Sequence, residues 1–294
     1  MNKAISMEHG LGRADNRECF NAISGIGEAD VELNCNRIRD KFSQLKAGSK
    51  KALITFITGG DPDIETTEKL ILAMEEAGAD IIEIGIPFSD PIAEGPVIQA
   101  AAERALAGGC TVDKLFHMVE RLRAKTNIPL LFMTYANPVY AYGKDRFMAR
   151  CKATGIDGVI LPDVPFEERG EFEDECRRHG IYLIPLIAPT SGERAAEIAR
   201  EAQGFVYCVS SLGVTGTRSE IGTDIAALID QVKKISQTPC AVGFGISTPG
   251  QARDMAAISD GVIVGSAIVK LVALHGKDCV GPVMGFVREL KNSM

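Results

Sequence analysis

The sequence predicts an α/β protein folded as a single closed (β/α)8 barrel, and three observations carry that prediction. Eight short apolar runs recur along the chain, helix-like stretches separate them, and no break in composition divides the set. The runs cover residues 52–58, 80–85, 129–135, 157–161, 181–187, 204–210, 239–243 and 261–264. Apolar side chains fill nearly every position within them. That means burial on both faces, the mark of parallel strands covered by helices.

Between the runs, the stretches 64–77, 145–153, 167–179, 192–202, 224–235 and 249–258 set charges on one face and Ala, Ile, Leu or Met on the other, the pattern of amphipathic helices. Several of them end in shared punctuation, EEAGAD (75–80), CKATGIDG (151–158) and AISDG (257–261): a glycine or small polar residue, then aspartate, then the next strand. The glycine supplies the left-handed cap that turns the chain back. The interval from 86 to 128, between the second and third strands, has room for two helices, so an extra helix is expected there. Residues 1–35 show no sustained period and read as a poorly ordered extension, or as a partner-binding arm, ahead of a catalytic barrel domain spanning 36–294.

Composition narrows the function classes. The 294 residues are 46% hydrophobic and 24% charged with a net charge of −7, and no basic stripe of the kind phosphate backbones require is present, so nucleic acid is not an expected partner. No apolar run approaches eighteen residues and the N-terminus lacks a continuous apolar segment, which predicts neither a membrane span nor a signal peptide. Eight cysteines, none closer than sixteen residues to the next, form no zinc-type spacing and suit a reducing compartment. The histidines 9, 117, 179 and 275 are scattered, so no metal site is expected. A cytoplasmic protein is the resulting expectation.

A barrel of this kind places its chemistry at the C-terminal ends of its strands. In the second strand, alternation puts Ile82 and Ile84 on one face and Ile81 with Glu83 on the other, which points Glu83 into the barrel. No basic residue stands at a neighbouring strand end. A carboxyl so placed is pushed toward a higher pKa and suits a group that both gives and takes a proton. The loop after it, GIPFSDPIAEGPVIQ (85–99), adds Asp90 and Glu94 and is stiffened by prolines. After the seventh and eighth strands come GFGIS (243–247) and Gly265-Ser266, glycines opening onto helix N-termini where an anion is favoured. The glycine-punctuated stretch 210–222 reads as a lid.

These motifs, in order, resemble the tryptophan synthase α subunit: FITGGDP (56–62), IIEIGIPFSDPIAEGPVIQ (81–99), TYANPVY (134–140), LPDVPFEE (161–168), GVTGTR (213–218), GFGIS and VGSAIV (264–269). The likeness runs from about Asn36 to the C-terminus, while the segment before it has no counterpart in the family pattern. It implies a TIM barrel and a lyase of tryptophan biosynthesis that cleaves indole-3-glycerol phosphate by a retro-aldol reaction to indole and glyceraldehyde 3-phosphate. It implies no cofactor in this chain, pyridoxal phosphate being expected only in a β partner, to which indole would pass in an α2β2 assembly. By resemblance Glu83 is the acid/base residue and Glu94 stands where the family has an aspartate that holds the indole N–H. Tyr207 lies near the reacting carbon and Glu83, and Thr215 assists lid closure. Phe56, Ile98, Tyr135, Ile160 and Phe244 line the indole pocket, with Met133 where the family often has leucine. Gly216, Gly245, Gly265 and Ser266 bind the phosphate, and Asp90 and Pro165 fall on the partner surface. From sequence alone, Glu94→Asp is expected to keep or improve activity. Two alternatives stand beside this reading: a weakly catalytic subunit that activates a β partner allosterically, and a free-standing indole-releasing lyase. A different sugar-phosphate barrel enzyme would need His or Lys at strand ends, where none is well placed.

Overall fold

A computed structural model describes residues 36–192, 194–209, 218–243 and 245–294. The strands are β1 (Ala52–Thr58), β2 (Ile81–Gly85), β3 (Leu130–Met133), β4 (Gly158–Ile160), β5 (Tyr182–Leu183), β6 (Leu186–Ile187), β7 (Val206–Val209), β8 (Cys240–Gly243) and β9 (Gly261–Val264). They form one sheet in the order β5-β4-β3-β2-β1-β9-β8-β7-β6, with every pairing parallel. The expected fifth strand is therefore two pieces, and the break has a local cause, since Pro185 has no N–H to give to the ladder. Ile184 N–H still donates to Val159 O (3.0 Å) on one side, and Pro185 O accepts from Tyr207 N–H (2.9 Å) on the other. One interrupted strand thus bonds to both neighbours, and the sheet closes.

The helices are α1 (Arg37–Ala47), α2 (Ile64–Glu76), α3 (Pro96–Ala107), α4 (Val112–Arg123), α5 (Ala136–Tyr142), α6 (Lys144–Thr154), α7 (Gly170–His179), α8 (Arg194–Glu201), α9 (Arg218–Lys233), α10 (Pro249–Ile258), α11 (Ser266–His275) and α12 (Val280–Asn292). The interval after β2 holds two helices, α3 and α4, as its length predicted. The short α5 is not among the helix-like stretches read from the sequence, and it carries Pro138. Proline is tolerated in a first helical turn, however, where its missing N–H has no helical partner to lose.

Alternation along the strands sorts the core. Ile54, Phe56, Ile81, Leu131, Met133, Ile160, Tyr207, Ala241 and Ile263 pack inside the barrel. Leu53, Ile57, Ile82, Ile84, Leu130, Phe132 and Val159 face the helix layer. Helix α1 stops the N-terminal end. Phe42 meets Phe205 at 5.7 Å between ring centroids, and Ile38 lies so close to Gly158 and Gly204 that added Cβ atoms would sit 3.2 and 3.4 Å from it.

The aspartates of the helix-end punctuation fasten that same end. Asp80, Asp157 and Asp260 each stand one residue before a strand and accept the N–H of Leu53, Leu130 and Cys240, respectively, at 2.8–2.9 Å. Each also meets a cation: Lys291 at 2.6 Å from Asp80, Arg37 and Arg123 at 2.7 and 3.0 Å from Asp157, and Lys233 at 3.1 Å from Asp260. With one end plugged and fastened, the opposite end is left for a site.

Candidate active site

Glu83 lies in the middle of β2, in register with Phe56 on β1 and Leu131 on β3. It is 1% exposed, and its Oε1 has no hydrogen-bond partner among the described residues. Burial pushes its pKa up to about 8. Leaving a carboxyl oxygen buried without a partner is costly, and a group poised near neutrality is what proton transfer in both directions requires.

Tyr207 on β7 faces the same space. Its hydroxyl is held well above the ordinary tyrosine range, by burial first and by the charge of Glu83 second. Room for it comes from Gly243, where an added Cβ would sit 2.5 Å from the Tyr207 hydroxyl oxygen and 2.7 Å from its ring. The sequence places Gly243 in an anion-binding run, and the structure gives it this second use. Gly85 does the same for Phe56, whose Cζ would lie 2.7 Å from a Cβ there. The available signal for both was a glycine as the last residue of a strand.

Phe56, Ile160 and Met133 line the barrel interior, and Ile98 of α3 packs against the same cluster. Tyr135 follows β3, is 2% exposed and stacks on Phe88 at 5.4 Å between centroids. Its hydroxyl oxygen accepts the Ala93 N–H at 3.0 Å, and the hydroxyl meets the Glu94 carboxyl. Burial raises the Glu94 pKa and Tyr135 opposes that rise. Tyr135 itself is pushed up to about 12, by burial first. Gln99 donates through Nε2 to the Glu94 carbonyl at 2.8 Å, a contact that sequence reasoning missed.

At the far side of the mouth, Gly265 is the N-cap of α11 and an added Cβ would sit 3.2 Å from Phe56 Cβ. Ser266 is exposed at the start of that helix, where the first N–H groups have no intrahelical partner. Gly245 is exposed with φ +75°, a left-handed conformation that favours glycine. Asp90 and Pro165 are exposed on loops after β2 and β4. Pro165 also lines a cavity of about 220 Å³ together with Leu161, Arg169 and Pro185, apart from Glu83. Thr215, Gly216 and Phe244 lie outside the described residues, as does the segment 1–35.

Among the described residues no group of three or more His, Cys, Asp or Glu side chains could hold a metal ion. Their six cysteines are free and buried, and no helix among them is long and apolar enough to cross a membrane. The arrangement is thus an apolar barrel interior holding one protonatable carboxyl, with a second half-buried carboxyl against a tyrosine and a helix N-terminus flanked by glycines.

Comparison with known proteins identifies the family. The family described as Tryptophan synthase alpha chain matches residues 42–292. The Tryptophan synthase alpha chain of Thermoanaerobacter sp. (strain X514) is 50% identical over 258 residues, which is 87% of this chain and 98% of that one. Among solved structures, tryptophan synthase subunit alpha from Legionella pneumophila str. Paris superposes with a TM-score of 0.81 at 39% identity, covering 88% of this chain and 98% of its own. A chain of the tryptophan synthase a2b2 complex from Pyrococcus furiosus does so with a TM-score of 0.76 at 39% identity, covering 81% and 97%. With a family match over residues 42–292, and its fold and nearly the whole length of these relatives in common, the chain belongs to the tryptophan synthase alpha chain family.

Proposed function

We propose that this protein cleaves indole-3-glycerol phosphate to indole and glyceraldehyde 3-phosphate and passes the indole to a β partner. The observation that carries the reading is Glu83, a carboxyl inside the barrel with a pKa of about 8. Protonated, it gives its proton to C3 of the indole ring. As carboxylate it then takes the proton of the glycerol hydroxyl while the carbon–carbon bond breaks, so one group ends each cycle in its starting form. Glu94 holds the indole N–H and stabilises the positive charge that develops on the ring. Tyr207 stands at the reacting carbon. Phe56, Ile98, Tyr135, Ile160 and Phe244 enclose the indole, and Thr215 belongs to a closing lid.

The phosphate sits on Gly216, Gly245, Gly265 and Ser266, where backbone N–H groups and the dipole of α11 meet its charge. Residues 36–294 are the catalytic domain in this reading, and residues 1–35 are an extension ahead of the family match, which begins at residue 42. The chain needs no cofactor of its own, pyridoxal phosphate belonging to the β subunit, and it works in the cytoplasm. Asp90 and Pro165 lie on the surface that meets the partner in an α2β2 assembly, the form described for the Pyrococcus furiosus relative.

The test is indole release from indole-3-glycerol phosphate by the purified protein, with and without a tryptophan synthase β subunit. The chain contains no tryptophan, so indole fluorescence stands clear of the protein's own. Release that the partner accelerates supports the proposal. Release indifferent to the partner supports a free-standing lyase, and a folded protein that releases nothing yet stimulates the partner supports a regulatory subunit.

A further inference from the structure

We infer that Tyr135 and Gln99 are positioning residues that bracket Glu94 and set the active-site loop for the longer side chain carried there. The inference rests on the reading of Glu94 as the second carboxylate of the lyase. The residue before it and the residue itself are held from two different elements. Ala93 N–H donates to the Tyr135 hydroxyl at 3.0 Å from the end of β3, and Gln99 Nε2 donates to the Glu94 carbonyl at 2.8 Å from α3. Gly95, the N-cap of α3, offers no side-chain cap, so Gln99 is the side chain that fastens the loop to the helix start.

The Tyr135 oxygen accepts from Ala93, and the hydroxyl lies close enough to the Glu94 carboxyl to favour its charged form against burial. Its ring cannot swing away, being buried and stacked on Phe88. A backbone pinned on both sides of a carboxyl cannot slide to make up for a missing methylene. An aspartate at this position would withdraw the carboxyl by about 1.5 Å with no compensating loop movement. That reverses the expectation from sequence alone, and Glu94→Asp becomes a loss.

Tyr135→Phe is the test, because it keeps the ring and removes only the hydroxyl. Its kcat falls on the order of ten- to a hundredfold with KM within about twofold, since substrate packing survives and the loop does not. The acid limb of its pH profile, which reports ionisation of Glu94, moves to higher pH as the hydrogen bond favouring the charged form is lost. Gln99→Met, similar in length and without a donor, also lowers kcat at constant KM. A 13C titration of the Glu94 carboxyl, assigned by its absence in Glu94→Gln, needs no turnover, and so separates failure of this inference from failure of the lyase reading. A Glu94 titration unmoved by Tyr135→Phe, or a kcat unchanged in both Tyr135→Phe and Gln99→Met, overturns the bracket.

Discussion

Replacing Glu83 by glutamine keeps its shape and removes its charge, and the structure sets both the sign and the size of the effect. The carboxyl shifts from 4.5 in its ordinary state to about 8 in the fold, with burial as the cause. Between those values the folded protein holds a proton that the unfolded chain has released, so stability falls as pH rises from 4.5 and levels off above 8. At about 1.4 kcal/mol per pH unit, that interval corresponds to a ceiling of about 5 kcal/mol. Glutamine carries no such dependence. The variant should match the parent near the ordinary carboxyl pKa and exceed it above pH 8, by a melting-temperature difference on the order of 10 °C for a chain of this size. The assay is thermal unfolding of both proteins at half-unit steps from about pH 4.5 to 9, with indole release measured in parallel. Turnover in the folded variant should drop by at least about a hundredfold. The titratable group facing Glu83 is Tyr207, whose own pKa lies far above this window. A stability difference that stays flat across the pH range would refute the reasoning, because it would mean that Glu83 is ionised throughout and paired.

Three further outcomes rest on single contacts. Gly243→Ala places a methyl 2.5 Å from the Tyr207 hydroxyl, so it should displace that side chain and lower kcat by about tenfold or more while far-ultraviolet circular dichroism stays unchanged. Glu94→Asp should lower kcat rather than preserve it, and steady-state kinetics against the parent decide the point. Asp157→Asn leaves Arg123, whose side chain is 12% exposed, without its buried counter-charge and should cost about 3–5 kcal/mol in urea unfolding, with kcat of the folded protein intact.

Much of this was legible in the sequence because barrel strands write their burial continuously. Alternation within Ile81–Gly85 alone placed Glu83 inside, and the aspartates of the helix-end punctuation announced themselves by repetition. The features that stayed hidden depended on neighbours distant in sequence. Nothing local says that α1 will stop the barrel, since that role exists only once Ile38 and Phe42 meet Gly158, Gly204 and Phe205. The uses of Gly85 and Gly243 are visible only beside Phe56 and Tyr207, and Gln99 gains its meaning from a carbonyl five residues back. The split of the fifth strand could have been read, because Pro185 sits in its middle, but an apolar run outweighed one missing donor.

The two ends of the barrel treat carboxyl groups in opposite ways, and the contrast separates structure from chemistry. At the N-terminal end Asp80, Asp157 and Asp260 each have a backbone N–H and a cation, so their carboxyl groups are partnered where the sheet closes. Among the described residues Glu83 has no cation, and its Oε1 has no hydrogen-bond partner. A neutral side chain of the same shape would be more stable there, which makes the carboxyl a functional rather than a structural choice. The identity of its neighbour points the same way. A lysine or arginine in the place of Tyr207 would draw the Glu83 carboxyl back toward the ordinary range and strip it of the proton it must give. A tyrosine, neutral and held far above its usual pKa, supplies a polar neighbour while leaving that proton in place.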